Sequence, residues 1–493
     1  MEIPSYILPG FFFVGKVYRW QCMKNHACRR ELVSRIPGIF FICLASATFG
    51  FAQTNNPAGP LKLGEAVDLA LANYPAIKTA QAQATVAEAN IELSRTVYLP
   101  RLDFLDQENR VTRNNFFGVI LPQSIVPSIS GPVLSDTSLE SAFGSAGGTL
   151  LSWEPFDFGA RKAQVNVARV GAKQSHANVV ATELDVAASA ADAFMALAAS
   201  QAGVRAAEAN FARAQVFADS VHVLVNNQLR AGAEAARADA DLSLARTQLL
   251  RAQQTTEISR AALAQALGVP GTALTIDSSA LLEQPTDTTT PTPQFSRHPL
   301  AIAQELSIDV VRAREKVLAR SYVPKFYLQG SFSGRGTGAL TDGRFAGGLH
   351  GLWPTITNYG VGLTVTFPTF DIFSIRARRH IEAGNEAVEK SRYDLTIQAL
   401  QGQYSQAQAL VNGAVRIAQE TPTELKSAQQ AETLVLERYK YGLATVTDVA
   451  DAQRLLAQAE IDDAVAHLNV WRALLIAAKL QGDLKPVLQR IRH

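Results

Sequence analysis

The sequence predicts an α+β membrane protein in which very long helices are joined to short transmembrane β-strands. Three observations indicate this fold class. The chain repeats itself in two halves, two helix-forming stretches run for nearly 70 residues, and short segments of alternating polarity lie between the helices. Ordinary globular helices average about 11 or 12 residues. Helices of nearly 70 residues would be about 100 Å long at 1.5 Å per residue, which is too long for a compact globular domain.

Two pairs of landmarks reveal the repeat. Tyr98-Leu99-Pro100 recurs as Tyr322-Val323-Pro324 at a shift of 224 residues, and Gly232 pairs with Gly442 at a shift of 210. Such a period is too long for a solenoid unit, so it indicates a duplicated half-protein. The predicted parts are a first repeat over 53–268, a linker over 269–297, a second repeat over 298–482 and a C-terminal tail over 483–493.

The first 52 residues are interpreted as a signal peptide, with Met23 as the more ordinary start of such a signal. A cluster of arginines precedes a short apolar run at 39–45, and small residues precede a cleavage site after Ala52. These are the three parts of a secretory signal. The alternative, an N-terminal membrane anchor, is disfavoured because the apolar run is short for a membrane span.

Composition narrows the function classes. The leader holds all three cysteines, so the mature chain is expected to lack disulfides, thiolate metal sites and a cysteine nucleophile. The leader also holds six of the 46 Lys and Arg and two of the 44 Asp and Glu, which leaves 40 basic and 42 acidic residues in the mature chain. This balance has no excess of basic residues that would indicate nucleic-acid binding. The remaining sequence has no uncharged run of ~20 apolar residues. The exported chain is therefore expected to be periplasmic, secreted or an outer-membrane barrel.

Long helices are predicted in both halves. They cover 63–97, interrupted by Pro75, then 158–226, 233–267, 298–321, 372–440 and 443–481. Pro422 lies inside one of the longest, where a kink or local break is expected because proline removes a backbone donor. Leu468, Trp471, Leu475 and Ala478 recur at spacings of 3, 4 and 3. This spacing predicts a face packed on neighbouring helices.

Four short strands are predicted between the helices. Apolar and polar residues alternate over 325–335 and 358–368, with weaker counterparts at 101–118 and 141–153. Such alternation suits strands that separate lipid from a wet lumen. Four strands cannot close a barrel, and open edges are not tolerated in lipid. Three copies would supply twelve strands, and the same closure would wrap the helices into a tube.

These features resemble those of the TolC-like outer-membrane efflux proteins over about 61–482. The matching segments are Leu61–Val67 with Asn73-Tyr74-Pro75, both strand entries at Pro100 and Pro324, Pro155–Arg161, Phe370–Phe373 and the two glycine turns. The resemblance implies a homotrimeric channel with a 12-stranded β-barrel in the outer membrane and an α-helical barrel in the periplasm. It also implies two partners, a periplasmic adaptor protein and an inner-membrane pump.

Two alternatives stay open at this point. The exit duct of a type I protein secretion system would use the same architecture, and the sequence does not separate it from an efflux duct. A periplasmic coiled-coil scaffold is the alternative from another class, but a scaffold has no need of strands that face lipid. An enzyme is not predicted, since no Ser-His-Asp order, phosphate loop, paired-carboxylate motif or metal-ligand spacing stands out. No cofactor is implied.

The resemblance assigns functional residues at the two turns. The predicted periplasmic tip, where an adaptor would dock, comprises Arg230, Ala231, Gly232, Tyr441, Gly442 and Leu443. Gly232 and Gly442 are each expected to end a long helix in the left-handed conformation, which costs other residues about 1 kcal/mol or more. Tyr441 and Leu443 are expected to be exposed.

A constriction is predicted next to the tip. By resemblance, Tyr439 is a gate residue that bonds a neighbouring helix, and Asp448 and Asp451 ring the narrowest part of the lumen. Six carboxylates in a trimer would attract cations and raise some of their pKa values. The alternative is that the two aspartates are solvated charges on an outer face of the helix and do not face the lumen.

The chain departs from the family pattern at two places. Ala444 occupies the position of a gate arginine, two residues after Gly442. Ala238 occupies the position of an aspartate, six residues after Gly232, with Asp239 one place later. Closure is therefore expected to rest on Tyr439 and on packing.

Overall fold

The structure is a computed structural model that describes residues 59–112, 139–285, 287–338, 340 and 344–492. The chain divides into two units, 1–54 and 55–493, and all described residues belong to the second. The predicted signal peptide, with the three cysteines, lies outside the described residues, as does the end of the first predicted strand at 113–118.

The described residues form eight α-helices and four β-strands, and all of them except α8, which lies in the predicted C-terminal tail, follow the predicted order. The helices are α1 (Leu63–Asn73), α2 (Pro75–Thr96), α3 (Ala160–Asn226), α4 (Gly232–Ala266), α5 (Pro299–Ala319), α6 (Asp371–Lys440), α7 (Val446–Gln481) and α8 (Lys485–Arg492). The strands are β1 (Arg101–Thr112), β2 (Ser141–Phe156), β3 (Lys325–Thr337) and β4 (Ile356–Thr366). Within the described residues, no helix is both long and apolar enough to cross a membrane.

Each half begins and ends its helices in the same way. Pro75 and Pro299 are the first residues of α2 and α5, where the missing N–H of proline costs nothing. Gly268 and Gly482 follow α4 and α7 with φ of +73° and +88°. A Cβ added at Gly482 would lie 2.9 Å from Cδ of Pro299, and one at Gly268 would lie 3.0 Å from the carbonyl carbon of Asn73. The end of α4 therefore lies directly against the start of α2, and the end of α7 lies against the start of α5.

The strands form one antiparallel sheet in the order β1-β2-β3-β4. Phe332 lies opposite Thr149 on β2 and Tyr359 on β4. Two residues along, Gly330 lies opposite Val361. Tyr359 and Val361 are 86% and 79% exposed, so this face presents apolar side chains outward. The alternation predicted for β3 and β4 is confirmed.

On β3 and β4 the opposite face of the sheet is mainly polar, and Leu105 of β1 and Leu150 of β2 also lie on it. On β3 it carries Gln329, Ser331, Ser333 and Arg335, which alternate with the apolar residues. Neither β1 nor β4 pairs with a further strand within the described residues, so both outer edges of the sheet are open. The four strands thus have the two-sided character of a barrel wall without the closure of a barrel.

The main core lies where the middle of α3 meets the end of α7. Phe194 and Met195 on α3 are fully buried there, as is Leu468 on α7. Trp471 is 4% exposed, and its Nε1 donates to the carbonyl of Glu283 at 3.0 Å. The packed face predicted from the 3, 4, 3 spacing in α7 is therefore confirmed.

Of the two alternatives predicted at Pro422, the local break is absent, because α6 continues from Asp371 to Lys440, and the kink stays a prediction. The proline ring is exposed, and the segments on either side pack against α7. Packing of this kind supplies most of the stability of helices in proteins. The preceding residue, Thr421, donates from Oγ1 to Asp463 of α7 at 3.0 Å. Contacts with α7 therefore hold both arms of α6 where the backbone bond is missing.

A buried histidine joins the two ends of the second half. Nδ1 of His298 accepts a hydrogen bond from the N–H of Leu300 at 3.2 Å and caps α5. Nε2 donates to the carbonyl of Lys479, on α7, at 3.1 Å. Burial lowers the pKa of His298 from its ordinary value of 6.5, although the bond to Lys479 and the charge of Asp185 oppose that shift. Because both ring nitrogens are engaged, the neutral form fits this site.

This geometry predicts a pH dependence of stability. The folded protein binds the proton less readily than the unfolded chain, so the contribution of His298 is complete above pH 6.5 and falls as the pH drops below that value. His298→Asn keeps a capping side chain but removes the titrating group. Unfolding midpoints measured at pH 7.5 and 5.5 should differ less in the variant than in the natural protein. An equal loss in both proteins would contradict the assignment.

Candidate functional site

The candidate site lies at the turns of two helical hairpins, α3–α4 and α6–α7. The turns meet, because Arg230 beside the first turn donates from Nη2 to the carbonyl of Tyr439 at the end of α6, at 3.0 Å. Helix ends leave backbone groups without partners inside the helix. The residues that satisfy those groups therefore fix the shape of each turn.

The second turn has the predicted geometry. Gly442 has a φ of +74°. Its N–H donates to the carbonyl of Tyr439 at 3.0 Å, and the N–H of Leu443 donates to that of Arg438 at 2.8 Å. This pair of bonds is the Schellman motif, which requires a left-handed residue after the helix. The predicted role of Gly442 in ending α6 is confirmed.

The first turn has the same motif, but glycine does not form it. Gln228 has a φ of +59°. Its N–H donates to the carbonyl of Val225 at 2.9 Å, and the N–H of Leu229 donates to that of Leu224 at 2.9 Å. Gln228 is therefore the structural counterpart of Gly442, and the repeat has a shift of 214 residues at the turn.

The prediction that Gly232 ends a helix in the left-handed conformation is wrong. Gly232 is the first residue of α4 and follows Ala231, which has an extended φ of −76°. Gly232 was paired with Gly442 because glycine adopts positive φ without cost and is the usual residue at such a position. Here the chain imposes that conformation on Gln228, next to Asn227, whose side chain donates to the carbonyl of Val223 at 2.7 Å.

The corrected shift also explains the two departures from the family pattern. It aligns Glu234 with Asp448, the third residues of α4 and α7, so an acidic residue is present in both halves. Ala238, where an aspartate was expected, is 2% exposed inside an apolar cluster. The shift further aligns Arg230 with Ala444. The arginine missing beside the second turn is therefore present beside the first.

At the turns, Tyr439 is the centre of the polar contacts between the hairpins. Its hydroxyl donates to Oε2 of Glu234 at 3.1 Å, and its ring lies 5.2 Å from that of Phe217 in an edge-on arrangement. The Arg230 guanidinium lies over the ring at 4.7 Å and 3.8 Å from the Glu234 carboxylate. Burial and the Glu234 carboxylate raise the pKa of Tyr439, so its hydroxyl stays protonated and donates. We call Arg230, Glu234 and Tyr439 the tip latch.

The latch sits on an apolar cluster built from all four hairpin helices. The buried members are Phe217, Ala218, Val221, Ala235, Ala238, Tyr439, Val446 and Val449. Such a cluster excludes water, which strengthens the polar contacts beside it. Sequence reasoning identified Tyr439 but missed Phe217 and Glu234. The signal that would have found Glu234 is its place in the first turn of α4, where acidic residues are favoured.

The two aspartates of the predicted constriction occupy different environments. Asp448 accepts from the N–H and Oγ1 of Thr445 at 2.7 and 2.8 Å, which forms the capping box of α7. These bonds lower the pKa of Asp448, whereas a raised value was predicted for a ring of carboxylates in a trimer. Asp451 is exposed and pairs with Arg454 at 2.9 Å. That both aspartates face the lumen stays a prediction.

The turns expose apolar side chains. Tyr441 and Leu443 are 81% and 68% exposed, and Leu229 of the first turn is 69% exposed. Leu229 was not predicted, because it becomes the counterpart of Leu443 only when Gln228, and not Gly232, is paired with Gly442. Within the part of the chain that the structure describes, no group of three His, Cys, Asp or Glu side chains could hold a metal ion.

The corrected turn geometry makes a prediction about stability. Gln228→Gly removes a left-handed glutamine and should stabilise the fold by about 0.5–1 kcal/mol, the usual gain where φ is positive. Gly232→Ala is the matched control. That residue has no positive φ and nothing within 4 Å of an added Cβ, so it should not destabilise. Chemical unfolding midpoints test both changes. Destabilisation by Gly232→Ala together with no gain from Gln228→Gly would support the pairing of Gly232 with Gly442 instead.

Comparison with known proteins places the chain in a family. Residues 66–269 and 296–478 match the outer membrane efflux protein family. Comparison with curated proteins gives no significant match.

The fold resembles that of several solved structures. The CmeC outer membrane channel of Campylobacter jejuni is 16% identical, with a TM-score of 0.67, and the match covers 87% of this chain and 89% of that one. The open MtrE outer membrane channel of Neisseria gonorrhoeae is 18% identical, with a TM-score of 0.63 and coverage of 86% and 89%. The outer membrane protein VceC of Vibrio cholerae is 17% identical, with a TM-score of 0.64 and coverage of 86% and 96%.

The duplicated halves, the four-stranded sheet and the long helices agree with this match. The family consists of channel proteins of the outer membrane with helices in the periplasm. The chain belongs to the outer membrane efflux protein family and is an outer-membrane efflux channel.

Proposed function

We propose that the chain works as a homotrimer, docks through its hairpin turns on a periplasmic adaptor protein, and passes substrates received from an inner-membrane pump. The observation that carries this proposal is the open four-stranded sheet, whose strands β3 and β4 are mainly polar on one face and apolar on the other. Edges with unpaired backbone groups are not tolerated in lipid. Three copies close the edges into a 12-stranded barrel around a wet lumen.

The outer helices support the same closure. α6 packs on α5 and α7, and its other side exposes Ile381, Val388 and Leu395 at seven-residue spacing. At the same level α2 packs on α3 and exposes Val86 and Leu93, which are also seven residues apart. Rows of exposed apolar residues on long helices are typical of interfaces between helices. The free side of α6 in one copy would cover the free side of α2 in the next.

The exposed apolar residues of the turns support adaptor docking. The predicted residues Tyr441 and Leu443 are joined by Leu229, so each hairpin presents at least one large apolar side chain. Arg230 belongs to the tip latch, where it contacts Tyr439 and Glu234. Its guanidinium therefore serves the hairpin contact, and the docking surface consists of the apolar residues around it.

The tip latch supports a gate. It joins α4 of one hairpin to α6 of the other within one chain, so releasing it removes the polar contacts that hold the two turns together. The hydrogen bond from Tyr439 to Glu234 involves a charged acceptor and lies beside an apolar cluster. Bonds of this kind contribute about 1.5–3 kcal/mol. We therefore assign the latch to holding the channel closed at rest.

Latch variants test the gate directly. Tyr439→Phe and Glu234→Gln each remove or weaken the bond, so the balance of closed and open states should shift about tenfold, since 1.4 kcal/mol is a factor of ten. Conductance of purified protein in planar bilayers measures the shift. Tyr441→Phe is the control, because Tyr441 is exposed and makes no latch contact. Equal conductance in all three variants and the natural protein would contradict the gate.

The predicted constriction is tested best at Asp451, because Asp448 also caps α7. Asp451→Asn removes three charges from a trimer and should lower cation selectivity and weaken block by multivalent cations, since a negatively charged neck concentrates cations. Asp462→Asn, on the same helix and bonded to Gln458, is the control. Unchanged selectivity in Asp451→Asn would place this aspartate on the outer face.

A further inference from the structure

A segment of the connection between β3 and β4 lies flat on the sheet. We call this segment, residues 349–354, the strap. Before the strap, the N–H of Ala346 donates to the carbonyl of Gly338 at 2.8 Å, and after it the N–H of Thr355 donates to that of Arg335 at 2.9 Å. The connection is therefore bonded to the end of β3 on both sides of the strap.

Glycines of β3 make room for the strap. A Cβ added at Gly334 would lie 2.8 Å from Cβ of Pro354, and one added at Gly336 would overlap the carbonyl oxygen of Trp353. Only glycine allows another stretch of backbone to come this close. Ser145, opposite Gly336 on β2, is 4% exposed. The strap therefore packs directly on the backbone of the sheet.

The strap lies on the apolar face of the sheet. Residues two apart in a strand point to the same face, so a Cβ at Gly334 or Gly336 would point the same way as the ring of Phe332. The strap occupies that direction. In the row below it, Phe332 and Tyr359 are 60% and 86% exposed. The strap thus continues the apolar face away from the helices, over backbone that has no side chains of its own.

The strands change from apolar to charged at the level of the strap. On β1, Phe104 lies in the row of Phe332. The next two residues of β1 on this face are Asp106 and Glu108, which lie in the rows of the two glycines. Charges on the lipid face of a barrel are costly at the middle of the bilayer and tolerated near its surface. The strap therefore marks one edge of the apolar band.

The distance to the other edge fits the thickness of an outer membrane. Ten residues separate Phe326 from Gly336, which at about 3.3 Å per residue and a tilt of about 40° spans about 25 Å across the membrane. The apolar band of outer-membrane barrels is about 25 Å tall, with aromatic residues at both edges. Phe156, opposite Phe326, is 66% exposed and belongs to the lower edge. Trp353, over Gly336, lies at the upper edge.

The position of the strap on the sheet favours lipid as its partner. The strap covers β3 and part of β2, whereas the open edges belong to β1 and β4. Other copies that close the barrel would meet those edges and leave the strap uncovered. Its two large apolar side chains, Leu349 and Trp353, are 67% and 71% exposed. They continue the face that the proposed barrel turns toward lipid.

We propose that the strap is a lipid-contact element that seats the outer rim of the barrel in the outer leaflet, with the Trp353 ring at the boundary between acyl chains and headgroups. Tryptophan suits this boundary because its ring is apolar and its Nε1–H is a polar donor. Gly334 and Gly336 position the ring by holding the strap on the sheet. This inference rests on the proposed barrel.

Quenching of tryptophan fluorescence by brominated lipids tests the strap. Besides Trp20 in the predicted leader, the chain has Trp153, Trp353 and Trp471. Emission of Trp353 is the difference between Trp153→Phe and Trp153→Phe/Trp353→Phe, since Trp471 lies in the main core. In phosphatidylcholine vesicles brominated at carbons 6 and 7, this difference should fall about twofold, and bromine at carbons 11 and 12 should quench it less. Absence of quenching by both lipids would overturn the inference.

A reference tryptophan distinguishes failure of the strap from failure of the barrel. Phe332→Trp, in a chain with Trp153→Phe and Trp353→Phe, places a ring near the middle of the apolar band, where bromine at carbons 11 and 12 should quench it more. If this reference is quenched and Trp353 is not, the strap inference fails and the barrel stands. If neither is quenched, the apolar face does not contact lipid and the proposed barrel fails as well.

A change beneath the strap tests how the ring is held. Gly336→Ala places a methyl group where the Trp353 carbonyl lies, so the strap must shift and the quenching of Trp353 should fall by about half. Gly347→Ala is the matched control, because nothing lies within 4 Å of its added Cβ, and should leave quenching unchanged. Circular dichroism checks that both variants keep their β signal. Equal quenching in the two variants would show that the sheet does not position the ring and would contradict the inference.

Discussion

Backbone groups at a strand edge cannot be left without partners in hydrocarbon, and this constraint shapes the whole chain. The sheet has four strands, two open edges, and an apolar face that includes Tyr359 and Val361. A sheet of this width is stable in a membrane only if its edges meet other copies. Each strand pair continues into helices on both sides, so the same closure sets the helices in a ring. The proposed trimer follows from the sheet rather than from the helices.

Duplication supplies the parts of the latch, and divergence between the halves makes them complementary. Both turns use the same Schellman motif, with Gln228 in one and Gly442 in the other. The first half contributes Arg230 and Glu234, and the second contributes Tyr439. Two identical turns would present the same groups to each other. Divergence at a few positions gave one turn a cation and an anion and the other an aromatic hydroxyl.

Much of the fold could be predicted from the sequence because its signals are long. In α3, nearly 70 residues without a proline leave little room for another structure, and ten residues of strict alternation indicate a strand. The turn was harder, since positive φ is usually read from glycine, and here Gln228 adopts it while Gly232 begins a helix. Glu234 was missed because its partner, Tyr439, lies 205 residues away in the sequence. Continuity of α6 through Pro422 depends on packing against α7, which no local pattern encodes.

The assembly state is the most direct test of this account. The mass of the protein, extracted in mild detergent and measured by native mass spectrometry with its β signal checked by circular dichroism, gives the number of copies. Twelve strands from four per chain require three copies, so a trimer is the expected result. A uniform monomer that retains its full β content would show that the sheet satisfies its edges alone. That result would contradict the barrel and the ring of helices built on it.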